Sequence, residues 1–309
     1  MARTPRSLAG RTVAITGGGR GIGRATARAL IAEGARVAIG DIDAALAERT
    51  AGQLGGGTVG LPLDVTDRAS FASFLDQVEE RLGGLDVLIN NAGIMPIGPF
   101  VEETDATAAR MIDINLHGVI FGSKLAVERF SKRGTGHLVN IASTAGKAGV
   151  SGGATYCATK HAVVGLSEAI RAEVRDSGID VTVVMPIVVN TELGSGLPQM
   201  RGFKSVEPED VADAIVEALQ TARYEVYVPK SVGFLLRSKA IVPTFVSDWV
   251  GRVLKGDQVL AQPDHAARAA YEARMEQTIS SAEAPTESAE AEPSPAPETS
   301  TQERETSVA

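Results

Sequence analysis

Between Thr12 and about Pro229 the chain alternates two textures. Short runs rich in β-branched residues occur at TVAIT (12–16), RVAIG (36–40), VGLPL (59–63), LDVLIN (85–90), HLVNI (137–141), DVTVVM (180–185) and YEVYV (224–228). Most are nearly continuous in apolar character, the pattern of strands buried on both faces. Between them lie Ala-rich stretches with helical spacing, such as GRATARALIAEG (23–34) and DRASFASFLDQVEERLG (67–83). Gly34, Gly83 and Gly178 punctuate the expected helix ends as C′ residues. Strand–helix alternation predicts an α/β domain with a doubly wound parallel sheet.

After Lys230 the texture changes. The stretch SVGFLLRSKAIVPTFVSDWVGRVLK (231–255) mixes apolar clusters with Arg237, Lys239, Arg252 and Lys255. From Val242, apolar residues recur at Phe245, Val246, Trp249 and Val253, one face of a helix. A second helix-like piece follows, DHAARAAYEARMEQ (264–277). Beyond Ser281 the chain is mostly Glu, Pro, Ser, Thr and Ala, with no aromatic residue. Such a segment buries too little apolar surface to offset its ordering entropy, so a disordered tail is expected. The expected organisation is a doubly wound α/β domain over 8–230, a helical extension over 231–280 and an acidic tail over 281–309.

Composition narrows the function. Apolar residues make up 44% of the 309, enough for a sizeable core, and aromatics only 4%. So few aromatics argue against a stacking surface for single-stranded nucleic acid. Seven glutamates and one arginine between Ser281 and Ala309 account for −6 of the net charge of −8. The body is therefore near neutral and points to neither nucleic acid nor acidic partners. A single cysteine, Cys157, allows no internal disulfide, which fits a reducing cytoplasm. The basic start MARTPRSLAGR runs into TVAIT rather than an apolar h-region, so no signal peptide is expected. The longest apolar run, near VTVVMPIVV, falls short of the ~18–20 residues that span a bilayer. Membrane contact, if any, would be peripheral. The basic flanks and Trp249 of the 230–255 segment suit either an interfacial helix or a docking helix, substrate cover or subunit contact.

Candidate chemistry begins in TVAITGGGRGIGRATARAL. Gly17, Gly21 and Gly23 follow a strand and open a helix. Glycines there permit a tight turn and close backbone approach, and the helix N-terminus offers N–H groups to a pyrophosphate. Asp41 ends the second strand 18 residues after Gly23. A carboxylate there accepts from a ribose 2′-hydroxyl and repels a 2′-phosphate, which favours NAD. Arg20, in the loop, keeps NADP open by offering a partner to that phosphate. Asp43 sits where a helix N-cap is useful.

The stretch ATYCATKHA (154–162) offers two chemistries. Cys157 and His161 are four residues apart, but no orienting residue or oxyanion motif accompanies them, and a free cysteine is often a small buried hydrophobe. Tyr156 and Lys160 share a helical face, and a nearby cation lowers a phenol pKa toward the range of general acid–base work. Taken alone, a Tyr and a Lys at this spacing would be a surface pair. No metal is expected, since His117, His137, His161 and His265 are dispersed without ligand spacing.

Together TGGGRGIG (16–23), DV (64–65), NNAG (90–93), Asn115, Ser143 and YCATK (156–160) resemble the short-chain dehydrogenase/reductase family, from about Leu8 to about Val228. The resemblance implies a Rossmann-type sheet of about seven parallel strands and hydride transfer between a nicotinamide and a carbonyl or alcohol carbon. By the same resemblance Asn115, Ser143, Tyr156 and Lys160 form the catalytic set. Tyr156 is the acid–base, Ser143 donates to the substrate oxygen, and Asn115 joins a relay through water to Lys160. Thr144 is a possible substitute donor. Gly17, Arg20, Gly21, Ile22 and Gly23 would form the pyrophosphate loop. Asp64 and Val65 would border the adenine, while Asn90 supports the sheet. Asn91, Ala92, Gly93, Tyr156, Lys160, Pro186, Val189 and Thr191 would line the rest of the cofactor pocket. The family usually has Pro-Gly where this chain has Pro186-Ile187, which puts the local backbone path and pocket size in question.

The expected substrate lining is Met95, Ala145, Val150, Ile187 and the segment from Leu193 to Phe203, with Arg201 its lone cation. An apolar lining predicts a lipophilic alcohol, aldehyde or ketone, steroid-, retinoid- or fatty-chain-like. Alternatives are an NADPH-dependent carbonyl or 3-oxoacyl reductase, and a nicotinamide-binding regulator without turnover. The resemblance further implies a homodimer or homotetramer, with Glu168–Arg175 on a helix often used for that contact.

Overall fold

The computed structural model of the chain describes residues 5–199, 202, 204–239, 245, 253 and 259–283. Trp249, Arg201, Phe203 and the tail beyond 283 lie outside the described residues, as does most of the expected helical face after Val242.

Seven strands form one sheet in the order β3-β2-β1-β4-β5-β6-β7. They are β1 Thr12–Thr16, β2 Arg36–Asp41, β3 Val59–Pro62, β4 Val87–Asn90, β5 Gly136–Ile141, β6 Ile179–Pro186 and β7 Glu225–Val228. Every neighbouring pair is parallel. The intervening helices are α1 Gly21–Ala32, α2 Ala44–Leu54, α3 Arg68–Leu82, α4 Asp105–Ile112, α5 Gly118–Arg133, α6 Ala154–Glu173 and α7 Pro208–Thr221. Among the described residues two more follow the sheet, α8 Lys230–Lys239 and α9 His265–Glu283. The chain thus remains helical three residues beyond Ser280, where the tail was expected to begin.

Strand alternation divides the apolar residues into two cores. Val13 and Ile15 of β1, Val87 and Ile89 of β4, and Val139 and Ile141 of β5 face one side, with Leu30 of α1 and Val211 and Ile215 of α7. Ala14, Leu88 and Leu138 face the other side, with Phe71 and Phe74 of α3 and Phe130 of α5. Each such fully buried aliphatic or aromatic side chain contributes roughly 1.5–3 kcal/mol relative to exposure. Caps fix the helix starts: the Asp43 carboxylate accepts from Leu46 N–H, and Asp67 from Ala69 N–H. Gly83 ends α3 in the left-handed region, as its sequence position suggested. Gly178 does not end a helix: α6 stops at Glu173, and Gly178 turns the chain into β6.

One buried histidine makes the fold acid-sensitive. His137 in β5 pairs with the Thr182 hydroxyl at 2.8 Å, and that hydroxyl donates to Arg223 O at 2.7 Å. The hydroxyl must therefore accept from His137, which fixes the Nε2–H tautomer of a neutral ring. Burial drives the His137 pKa down to about 4; Asp180 opposes this and Arg6 adds to it. A folded value below the unfolded one gives stability that is full above pH ~6.5 and is lost as pH falls toward about 4. The loss is of order 2–3 kcal/mol. Thermal melts of wild type and His137→Gln between these limits are expected to show a shallower pH slope in the variant. Equal slopes would remove the histidine from the account.

Candidate active site

The strand order reverses between β1 and β4, so the loops after these strands diverge and leave a crevice at their carboxyl ends. The glycine loop follows β1 and NNAG follows β4. The Thr16 hydroxyl ties them by accepting from the N–H groups of Asn91 and Ala92, both at 2.9 Å. The Asn91 amide returns the link, donating to Thr16 O at 2.8 Å and Gly17 O at 3.0 Å. Gly17 has φ +62, and a Cβ there would lie 2.9 Å from Ala92 Cα, so only glycine fits. Asn91 thus crosslinks the two loops from beneath.

At α1 no side chain caps the N-terminus, and Arg20, the N-cap residue, points its guanidinium 2.9 Å from Glu192. Uncapped N–H groups above a glycine cradle fit a pyrophosphate. Gly21, Ile22 and Gly23 form the first turn of α1; a Cβ on Gly23 would collide with Gly17 O at 2.4 Å. Asp41 ends β2, buried, its carboxylate accepting from Gly19 N–H at 3.1 Å and Asp43 N–H at 3.3 Å. The acid is therefore built into the rim of the glycine loop. Asp64 accepts from both the N–H and the hydroxyl of Thr66, at 2.8 and 2.7 Å, and Val65 is buried beside Gly118. On the far side Pro186 closes β6, Val189 bridges to Val206, and the Thr191 methyl lies 3.2 Å from where a Gly21 Cβ would be. An open cleft of about 780 Å³ runs between the start of α1 and this loop, lined by Arg20, Gly21, Thr191 and Leu197 among others.

The four expected catalytic residues come from β5, α6 and a π-turn, Asp113–His117, between α4 and α5. Such π-turns often mark functional sites. This one carries Asn115, fully buried. Its Oδ1 accepts from Ile94 N–H at 2.8 Å, and its Nδ2 donates to Ile94 O at 2.9 Å and the Thr159 hydroxyl at 3.3 Å. A Cβ on Gly93 would stand 3.2 Å from Asn115 Oδ1 and 3.7 Å from Lys160 Nζ, which places Asn115, Gly93 and Lys160 around one point. Lys160 Nζ donates to Ile141 O at 3.0 Å and lies 5.7 Å from the centre of the Tyr156 ring. Ser143, two residues beyond β5, accepts from Ala145 N–H at 3.1 Å, donates to Pro186 O at 3.5 Å and stands beside the Tyr156 phenol. Thr144 directs its hydroxyl to the same carbonyl, Pro186 O, at 3.3 Å.

Electrostatically the pair departs from the sequence reading. Burial pushes the Tyr156 phenol above its ordinary value; the nearby Ser143 hydroxyl opposes this, and Tyr271 and Cys157 add to it. Burial also lowers the Lys160 pKa to about 8. The same desolvation that hides the phenol weakens the cation expected to lower it. The protein alone thus keeps Tyr156 protonated. Ile187 resolves simply: its φ is not positive, its N–H donates to Val228 O at 3.0 Å, and its side chain packs on the α1–α7 core. The thiol is inert, raised in pKa by burial and in contact with Val150, while His161 bonds the Cys157 carbonyl.

Sequence reading missed two groups on α9. Arg268 is 1% exposed and donates to Leu193 O, Ser195 O and Met95 O. The Tyr271 hydroxyl accepts from Met95 N–H at 2.7 Å. These contacts span more than 70 residues of sequence, and no local periodicity signals them. Glu192 was missed as well; it joins Arg20 of the glycine loop to Arg274 of α9. Among the described residues no three His, Cys, Asp or Glu side chains converge as a metal site, and no helix is long and apolar enough to cross a membrane.

Residues 11–202 match the family described as short chain dehydrogenase. A sorbitol dehydrogenase of Cereibacter sphaeroides is 39% identical over 191 residues, covering 62% of this chain and 75% of that protein. A 3-alpha-(or 20-beta)-hydroxysteroid dehydrogenase of Mycobacterium bovis is 35% identical, covering 68% of this chain and 82% of that one. The probable oxidoreductase EphD of Mycobacterium tuberculosis is 35% identical, but the match spans 40% of its length and 70% of this chain. Among solved structures, a 3-ketoacyl-(acyl-carrier-protein) reductase from Brucella melitensis complexed with NADH superposes with TM-score 0.69 at 26% identity, covering 72% of this chain and 98% of that one. A short chain dehydrogenase/reductase from Burkholderia phymatum in complex with NAD shares the fold, with TM-score 0.70 at 24% identity over 76% of this chain and 94% of that one.

Proposed function

This chain belongs to the short chain dehydrogenase family, and from that premise we propose that it interconverts a lipophilic alcohol and its ketone or aldehyde, with NAD as the preferred cofactor. The observation that carries the reading is the convergence of Asn115, Ser143, Tyr156 and Lys160 beside the switch-point crevice. A bound nicotinamide supplies or accepts the hydride. The protein's part is the proton. Tyr156, held protonated by burial, is set to give its proton to a carbonyl oxygen, the reductive direction. The Ser143 hydroxyl, beside the phenol, donates to the same oxygen and steadies charge as it develops. Lys160, with a pKa near 8, exchanges protons close to neutrality and sits beside Asn115 to pass them on.

The substrate class follows from what faces Tyr156. Met95 and Ala145 share its apolar cluster, with Val150, Val188 and Leu193 packed against it. Arg201 lies outside the described residues. For the cofactor, Arg20 is paired with Glu192, while Asp41 occupies the loop rim, an arrangement that favours a ribose hydroxyl over a phosphate. The same family reading supports a homodimer or homotetramer. A panel followed by nicotinamide absorbance tests the whole reading. Lipophilic secondary alcohols and ketones are expected to exceed small charged hydroxy acids by at least about tenfold in kcat/KM. The reverse preference would refute the substrate class.

A further inference from the structure

The helix α9 packs against the loops that follow β4 and β6. Arg268 donates through Nη1 to Leu193 O at 3.0 Å and Ser195 O at 2.9 Å, and through Nη2 to Met95 O at 3.2 Å. One guanidinium therefore fastens the loop after β4 to the loop after β6. Asp264 N–H adds a bond to Gly196 O at 2.8 Å. Gly196 has φ +68, and a Cβ there would meet Asp264 O at 2.4 Å, so loop and helix touch backbone to backbone. Met275 of α9 packs on the cluster that contains Met95 and Tyr156.

Tyr271 stands next to this clasp. Its ring lies with Arg268 4.9 Å from the centroid, and the residue is 6% exposed. The hydroxyl accepts from Met95 N–H at 2.7 Å. Ile94, one residue earlier, is held on both its N–H and C=O by Asn115. Two adjacent peptides are thus gripped, one by the catalytic asparagine and the next by α9. Met95, whose N–H the Tyr271 hydroxyl holds, belongs to the same packed cluster as Tyr156. As a phenol, Tyr271 still has a proton to donate, and among the described residues nothing accepts it. A buried donor without an acceptor is costly, so a ligand that brings one gains.

We infer that Tyr271 is a specificity-determining residue that donates a hydrogen bond to a second oxygen of the substrate, near the carbon that reacts at Tyr156, with Arg268 as its positioning residue. The preferred substrate is then a mainly apolar skeleton bearing an ether, hydroxyl or carbonyl oxygen close to the reacting carbonyl. This deepens the oxidoreductase reading and rests on it for the placement of the reacting carbon.

The test compares two ketones of equal shape, 2-methoxycyclohexanone and 2-ethylcyclohexanone, on the full chain. Dissociation constants are measured calorimetrically in the dead-end complex with NAD, which needs no turnover. Reduction of both with NADH is measured in parallel. Wild type is expected to bind the methoxy ketone at least about tenfold more tightly, a ratio typical of one buried hydrogen bond gained. In Tyr271→Phe the ratio falls to about one. A merely structural role for Tyr271 would weaken both ketones and leave the ratio as in wild type. Equal affinities in wild type, or no binding of either ketone, overturn the inference without any variant. Preferential binding without reduction keeps the inference and removes the oxidoreductase reading. Reduction of both ketones with equal efficiency keeps that reading and removes the inference.

Discussion

Tyr156→Phe is expected to lower kcat in both directions by about 10²–10⁴-fold, the range for loss of a positioned acid–base group. The substitution removes one oxygen and keeps the ring. Tyr156 is 7% exposed and packs among Met95, Ala145 and Leu260, and phenylalanine fills the same space. The folded state should therefore persist, and nicotinamide affinity should change far less than kcat. The pH profile supplies the sharper signature. Burial raises the phenol, so oxidation in wild type should accelerate as pH rises toward its ionisation. The variant has no such group, and its residual rate should not follow that rise. Steady-state kinetics over pH, with melting curves as a fold control, decide it. A variant at full rate would remove Tyr156 from the chemistry and leave Ser143 and Lys160 without their proton donor.

The second large effect concerns the cofactor. Asp41→Ser should reduce the NAD-over-NADP ratio of kcat/KM by about 10²–10³-fold. One charge-assisted hydrogen bond to the ribose is lost, and so is the repulsion of a phosphate dianion, together about 3–4 kcal/mol. The size depends on burial: Asp41 is 8% exposed, at the end of β2 against Gly19. Two backbone donors, Gly19 N–H and Asp43 N–H, hold its carboxylate in place. Serine also surrenders those bonds, so part of any loss with NAD reflects a looser loop. Isothermal titration with both cofactors separates the two causes, because only charge discrimination changes the ratio. An unchanged ratio would place the selectivity elsewhere, with Arg20 the first residue to examine.

Much of this site was legible because its signals are local. Gly17, Gly21 and Gly23 announce a turn between a strand and a helix whatever the rest of the chain does, and the structure puts them there. Seven apolar runs became seven strands; the central ones, β1, β4 and β5, are apolar enough to be buried on both faces, whereas the edge strand β3 is only partly covered. Gly178 shows the limit of that approach: a glycine after a helix pattern marks a turn, but not which turn. The Tyr156–Lys160 electrostatics were misjudged for a different reason. Spacing on a helix reveals proximity, whereas burial, set by the fold, decides whether proximity or desolvation wins. Arg268 and Tyr271 were illegible because their partners are Met95 and Leu193, distant in sequence and engaged through backbone atoms. An alanine-rich helix carries no pattern that forecasts such a contact.

The claim that everything else depends on is hydride exchange between a carbinol carbon and a nicotinamide at the Tyr156 site. It is tested most directly by incubating the full chain with NAD and a lipophilic secondary alcohol deuterated at the carbinol carbon, then analysing the reduced nicotinamide by mass spectrometry. Deuterium on the nicotinamide ring, all on one face and absent with Tyr156→Phe over the same interval, is the result expected. Reduced nicotinamide without the label, or label transfer unaffected by Tyr156→Phe, would contradict it.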